Sequence, residues 1–297
     1  MASVQTGTRI TLKNILYLTD FSEPSEAALP FAVEVARGFG AKVCALHVLI
    51  PSPYLYATPE GTAMGIEAEE EAALAAMQKV DAALVGLPHE TIVERGVSVW
   101  QSLERAAKDY RVDLIVLGTH GRTGAQRLLL GSVAEEIFRR SRVPVMTIGP
   151  WARKGLHRAA RFRRVLFPTD FSAASLAAAP YAMSMAQENQ ARLLLLHVLP
   201  GPEKPAAEKI EEVAVAERRL HGLVPPEAEL WCRPEVVVQY GKPADQILEA
   251  AKQQGADLIV LGVRDAGGHT GVAAHLQRTT AHQVVAHALC PVLTVCG

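Results

Sequence analysis

Residues 118–132, Gly-Thr-His-Gly-Arg-Thr-Gly-Ala-Gln-Arg-Leu-Leu-Leu-Gly-Ser, have the composition and spacing to hold an anion. Gly118 and Gly121 are three apart, and Gly131-Ser132 follows after nine intervening residues. Glycines let backbone N–H groups turn toward an anion and approach it closely. A helix beginning at Ser132 would add unpaired N–H groups and the positive end of its dipole. The Ser132 hydroxyl can cap that helix or donate to a phosphate oxygen, and Arg122 and Arg127 add positive charge. A generic loop entering a helix can be glycine-rich too. The chain contains no G-x-x-x-x-G-K-[ST], and no G-x-G-x-x-G follows the first apolar run, so neither the P-loop nor the dinucleotide fingerprint is present.

Other reactive side chains are sparse. Asp20 closes the first apolar run, where it could accept a hydrogen bond from a ribose or amino group or cap the following helix. His47 and His197 sit inside apolar strands and read as satisfied core histidines rather than bases. His269, His275, His282 and His287 cluster late in the chain, and His275 and His282 would share a helix face if that stretch is helical. No carboxylate or cysteine completes a ligand set with them, so no metal site is expected. Cys44, Cys232, Cys290 and Cys296 show no ligand spacing and read as reduced, mostly buried thiols. No side chain qualifies as catalytic.

Alternating strands and helices must position these groups. Apolar runs give strands at Ile15–Thr19, Lys42–Leu49, Thr91–Glu94, Asp113–Leu117 and Val143–Ile148. Helical spacing covers 24–39, 66–85, 99–110 and Ser132–Arg140, and 50–65 reads as a loop. Pro30 falls inside the first helix and should delay or kink it. Such alternation implies an α/β fold with parallel strands and right-handed crossovers.

The whole pattern occurs twice. Thr-Asp-Phe-Ser stands at 19–22 and 169–172, Leu-His-Val-Leu at 46–49 and 196–199, Asp-Leu-Ile-Val-Leu-Gly at 113–118 and 257–262, and Pro-Val-x-Thr at 144–147 and 291–294. Pro180 repeats Pro30. The 297 residues are therefore a duplicated domain. Residues 1–150 and 163–297 form the two copies, and 151–162 belongs to a basic, aperiodic connector that could contact an anion or simply be solvated. A formal net charge of -1 gives no electrostatic case for nucleic acid, and no apolar run reaches the roughly 18 residues of a membrane span. No basic segment followed by an apolar stretch opens the chain, so a cytoplasmic location is expected.

Gly118-x-x-Gly121-x9-Gly131-Ser132, with the early Thr-Asp-Phe-Ser, the Leu-His-Val and the closing Pro-Val-x-Thr, resembles the universal stress protein family in a tandem, two-domain form. The resemblance implies two doubly wound domains, each a five-stranded parallel sheet of order 3-2-1-4-5 with helices on both faces. It implies ATP as ligand, with Mg2+ as an accompanying ion, in the crevice between strands one and four. Asp20 would meet the ribose and the Val48 backbone the adenine. Gly118, Gly121, Gly131, Ser132 and Val133 would cradle the phosphates, with His120 and Arg122 beside them. Leu18 departs from the family's usual proline, which the second copy keeps as Pro168. Single domains of the family commonly dimerise through the last strand. The fused copies would then form an intramolecular pseudo-dimer, Pro144–Ile148 facing Pro291–Val295, with a further homodimer open.

The second copy of the signature is damaged. Gly262 and Pro291 are 29 apart against 26 for Gly118 and Pro144, so the loop has gained three residues. Asp265 falls opposite Gly121, Arg278 opposite Gly131 and Thr279 opposite Ser132. An aspartate repels phosphate, and an arginine side chain fills space a glycine would leave. Gly268-His269-Thr270-Gly271 imitates the G-x-x-G too far past the strand. The expected function is an ATP-binding stress or signalling protein with one working site. The alternative is a slow ATPase or nucleotidyl-transfer enzyme, which 118–132 supports poorly because it contains no Asp or Glu.

Overall fold

A computed structural model describes residues 9–50, 59–119, 130–150, 152, 161–201, 206–264 and 279–297. The chain divides into two compact units, Thr11–Pro150 and Trp151–Gly297, the latter joined by the N-terminal segment through Ile10. In that second unit the Ile10 N–H donates to Ser184 Oγ at 3.0 Å, and Arg9 pairs with Glu188. Ala152 and Phe162, within the expected connector, are buried.

The first unit runs β1 (Asn14–Leu18), α1 (Glu23–Glu26), α2 (Leu29–Phe39), β2 (Lys42–Leu49), α3 (Pro59–Ala83), β3 (His89–Arg95), α4 (Val99–Asp109), β4 (Leu114–Gly118), α5 (Ser132–Arg140) and β5 (Val145–Ile148). Its strands lie in the order β3-β2-β1-β4-β5, all parallel. The second unit repeats this as β6 (Arg164–Pro168), α6 (Ala173–Ala177), α7 (Ala179–Asn189), β7 (Arg192–Leu199), α8 (Ala206–His221), β8 (Pro234–Tyr240), α9 (Pro243–Gln254), β9 (Leu258–Val263), α10 (Thr280–His287) and β10 (Val292–Cys296). Its order is β10-β9-β6-β7-β8, again parallel. Among the described residues no helix is long and apolar enough to cross a membrane.

The strands are continuous apolar runs because helices cover both faces of each sheet. Leu114–Leu117 and Leu258–Leu261 are all buried. The expected break at the prolines is real. Pro30 and Pro180 sit in the first turns of α2 and α7, where a missing N–H costs nothing, so each predicted helix is two helices. The loop expected over 50–65 is shorter than read, since α3 already begins at Pro59. Its weak apolar periodicity hid that start.

Two repeated motifs have structural explanations. The aspartate of Asp-Leu-Ile-Val-Leu-Gly ties down the start of the central strand. Asp113 Oδ2 accepts from the N–H groups of Lys13 and Asn14 at 2.7 and 3.0 Å, and Asp257 Oδ2 from those of Arg163 and Arg164 at 2.9 and 3.1 Å. The closing glycine admits a helix backbone. A Cβ on Gly118 would lie 2.5 Å from the Pro24 carbonyl oxygen, and one on Gly262 would lie 2.1 Å from that of Ala174.

Gly118→Ala should therefore destabilise the protein by about 1–3 kcal/mol, the usual cost of overpacking. A lowered urea midpoint would register it. An unchanged midpoint would mean that α1 can retreat without loss and that the close approach is not a constraint.

Candidate functional site

The site is built on the turn that leaves β1. Thr19 Oγ1 accepts from the Phe21 N–H at 3.0 Å and meets Ser25 Oγ at 3.1 Å. Phe21 is held at φ 58°, a left-handed conformation unusual for a side chain of its size. Asp20 Oδ1 accepts from the Ser22 N–H at 3.0 Å and from the Ser22 hydroxyl. Ser22, not Asp20, caps α1, its side chain accepting from the Ser25 N–H. Beneath the turn, the Tyr17 hydroxyl donates to the Ser25 carbonyl at 2.8 Å, and burial pushes that phenol up to about 12.

His47 completes the turn rather than acting as a base. It is buried, its Nδ1–H donates to the Thr19 carbonyl at 2.8 Å, and its ring lies 4.3 Å from that of Phe21. The second unit repeats the turn, with Phe167 in place of Tyr17 and so without that hydroxyl bond. Thr169 accepts from the Phe171 N–H at 2.9 Å, Phe171 is at φ 61°, and His197 Nδ1–H donates to the Thr169 carbonyl at 2.8 Å. His197 is less buried than His47.

A cavity of about 300 Å³ opens above this turn, where the sheet order reverses between β1 and β4. Asp20, Val48, Gly118, Gly131, Ser132 and Val133 all line it, as do Thr19, Thr119 and Val99. His120, Gly121, Arg122 and Arg127 lie outside the described residues. Sequence reasoning marked neither Thr19 nor Val99 as a site residue; Thr19 belongs to the repeated Thr-Asp-Phe-Ser, and Val99 comes from the start of α4.

The far wall is the start of α5. The Gly131 N–H donates to the Thr119 carbonyl at 2.8 Å, and the Thr119 N–H to the Ile148 carbonyl at 3.0 Å, so the loop's last residues are fixed to the sheet. Gly131 is the residue that caps α5, and it makes no side-chain cap bond. Ser132 is therefore the first helical residue and exposed, not the cap. The helix points a terminus without a side-chain cap, and its dipole, into the cavity.

The second unit has a cavity of about 200 Å³ in the same place, with Asp170, Gly262, Thr280 and Arg264 among its walls. Its helix terminus carries a side-chain cap. Thr279 caps α10, accepting from the His282 N–H at 3.2 Å. Thr279 stands opposite Ser132 in helical register, since fully buried Val284 matches fully buried Ile137 at the separation of Pro291 from Pro144. α10 simply begins one residue later than α5. Asp265, Gly268–Gly271, His275 and Arg278 lie outside the described residues.

Reactive groups elsewhere are quenched. Burial pushes the thiols of Cys44 and Cys290 up to about 12 and that of Cys232 to about 11. Asp170 is partly desolvated, which raises its pKa, but hydrogen bonds from Ser172 and Ser175 outweigh this and hold it below the usual value. Among the described residues no three His, Cys, Asp or Glu side chains gather as metal ligands would.

Two doubly wound α/β units, each with a crevice at its switch point, define a duplicated α/β fold. The universal stress protein family model matches residues 11–149 and again 161–295, and the chain belongs to that family. A universal stress protein of Mycolicibacterium smegmatis is 32% identical over 301 residues, covering 95% of this chain and 96% of the relative. One from Methanocaldococcus jannaschii is 35% identical over 140 residues, covering 46% of this chain and 81% of the relative. The crystal structure of a universal stress protein from Archaeoglobus fulgidus matches with a TM-score of 0.69 at 23% identity, covering 95% of this chain and 97% of that one, a likeness of fold.

The thiols supply a check on the buried core. A thiol held above its ordinary pKa is mostly protonated at about pH 8, and only the thiolate reacts quickly. In native protein Cys296, the half-exposed one, should label first, with buried Cys44, Cys232 and Cys290 waiting for unfolding. Rapid native labelling of all four would contradict this packing.

Proposed function

We propose that the first unit binds one molecule of ATP and that the chain works as a nucleotide-responsive stress or signalling protein. The observation that carries this reading is the α5 terminus, without a side-chain cap, facing a cavity at the sheet's switch point. The volume of about 300 Å³ lies at the lower end of the usual range for ligand sites. Asp20 would accept from the ribose and the Val48 backbone would meet the adenine. Gly118, His120, Gly121, Arg122, Gly131, Ser132 and Val133 would surround the phosphates. Asp20 is also the one carboxylate among the described cavity residues, and Mg2+ carried in with the nucleotide would find its charge there.

Gly118 has a second reason to be glycine, the close approach of α1. The discriminating glycine is therefore Gly131. Its backbone, at φ -62° and ψ 149°, is a conformation that any residue adopts, so substitution there brings no backbone strain. A cytoplasmic location belongs to the same proposal. So do pairing of the two halves through their last strands and assembly into homodimers, for which the buried apolar β5 and β10 at the ends of the two sheet orders are the support.

Calorimetry on the full chain should give one ATP per chain. Gly131→Arg should weaken binding at least tenfold, about 1.4 kcal/mol, with unchanged circular dichroism. Two equivalent sites, or none, would refute the proposal.

The alternative, a slow ATPase or nucleotidyl-transfer enzyme, would cast Asp20 as base or metal ligand. Steady-state turnover should fall far below the enzyme median of about 10 per second. Turnover near that value, lost in Asp20→Asn, would establish the enzyme instead.

A further inference from the structure

We propose that the cavity of the second unit takes a neutral nucleoside rather than a nucleotide, so that one chain senses two related ligands at once. The ligand class rests on the reading of the first cavity as a nucleotide site; the retuning is argued from the second unit's own residues.

The second cavity keeps the address and loses the anion seat. It lies at the switch point between β6 and β9, under a turn built like that of the first unit. The difference is at the helix. Gly131 leaves α5 without a side-chain cap, whereas the Thr279 hydroxyl caps α10, accepting from the His282 N–H. A phosphate arriving there would find one of the first-turn N–H groups already taken by the Thr279 hydroxyl. The cavity is also smaller, about 200 Å³ against about 300 Å³.

What remains suits an uncharged ligand. Among the described residues, Asp170 and Arg264 bring one negative and one positive charge to the walls, which balance. An ionised Asp170 only accepts hydrogen bonds, which favours a ligand rich in O–H or N–H donors and disfavours an anion. Leu196, Val198, Ile247 and Leu261 supply an apolar surface for a flat ring. A nucleoside combines a flat apolar face, hydroxyl donors and no charge.

Adenosine titrated into the full chain saturated with ATP tests this by calorimetry. One adenosine per chain is expected, with an affinity that falls at least tenfold in Asp170→Asn. Asn keeps an acceptor for the Ser172 N–H but loses the charge, and circular dichroism reports whether that variant is folded. Thr280→Trp, in the first turn of α10, should plug the cavity and abolish binding without touching the carboxylate. No adenosine heat in ATP-saturated protein, adenosine displaced by ATP, or full affinity in both variants would overturn the proposal. Failure of the first-unit reading looks different: no ATP would bind, while adenosine binding would still depend on Asp170.

Discussion

The site depends on how closely the α1 backbone approaches the end of β4. No Cβ fits at Gly118, because the Pro24 carbonyl already stands where a methyl would be. The approach is held by directional bonds that converge on one turn: the Tyr17 hydroxyl to the Ser25 carbonyl, the Thr19 hydroxyl to Phe21 and Ser25, and the His47 ring to the Thr19 carbonyl. Each partner is buried or nearly so, and a buried polar group left unmet costs more than its bond contributes. The turn is thus over-determined, which is how Phe21 persists at φ 58°. Its rigidity fixes Asp20 at one wall of the cavity while the sheet fixes Gly131 at the other.

The duplication separates scaffold from chemistry. Whatever both units keep is what the fold needs: the threonine and histidine of the turn, the aspartate that anchors the central strand, and the glycine under the first helix. Gly262 is retained although the residues after it depart from the signature, and the close approach of α6 is reason enough for a glycine there. Whatever differs is free to be functional. Among the described residues one such difference lies at a helix terminus, without a side-chain cap at Gly131 and with one at Thr279.

Much of this was legible in the sequence. The strands were, because runs buried on both faces are continuously apolar, and so was the late start of the second helix, because proline allows little else. The cavity position followed from the topology implied by the resemblance, and Asp20, Val48, Gly118, Gly131, Ser132 and Val133 do meet there. Three features were not legible. The start of α3 was hidden because its early residues lack a periodic apolar face. For Ser132 the sequence left capping and phosphate donation both open; the helix does start at Ser132, as read, and the residue at the cap is Gly131. The role of Ser22 as the α1 cap was masked by Asp20, an equally good capping residue two positions before it. At the two helix starts a choice between neighbouring candidate caps decided the outcome.

Amide hydrogen exchange with and without ATP tests the central claim most directly, because it reads the two helix termini separately in one chain. If the terminus without a side-chain cap is the phosphate seat, ATP should slow exchange at Ser132, Val133 and Ala134 and leave Thr280, Ala281 and His282 unchanged. Equal protection at both termini, or protection at α10 alone, would contradict the account.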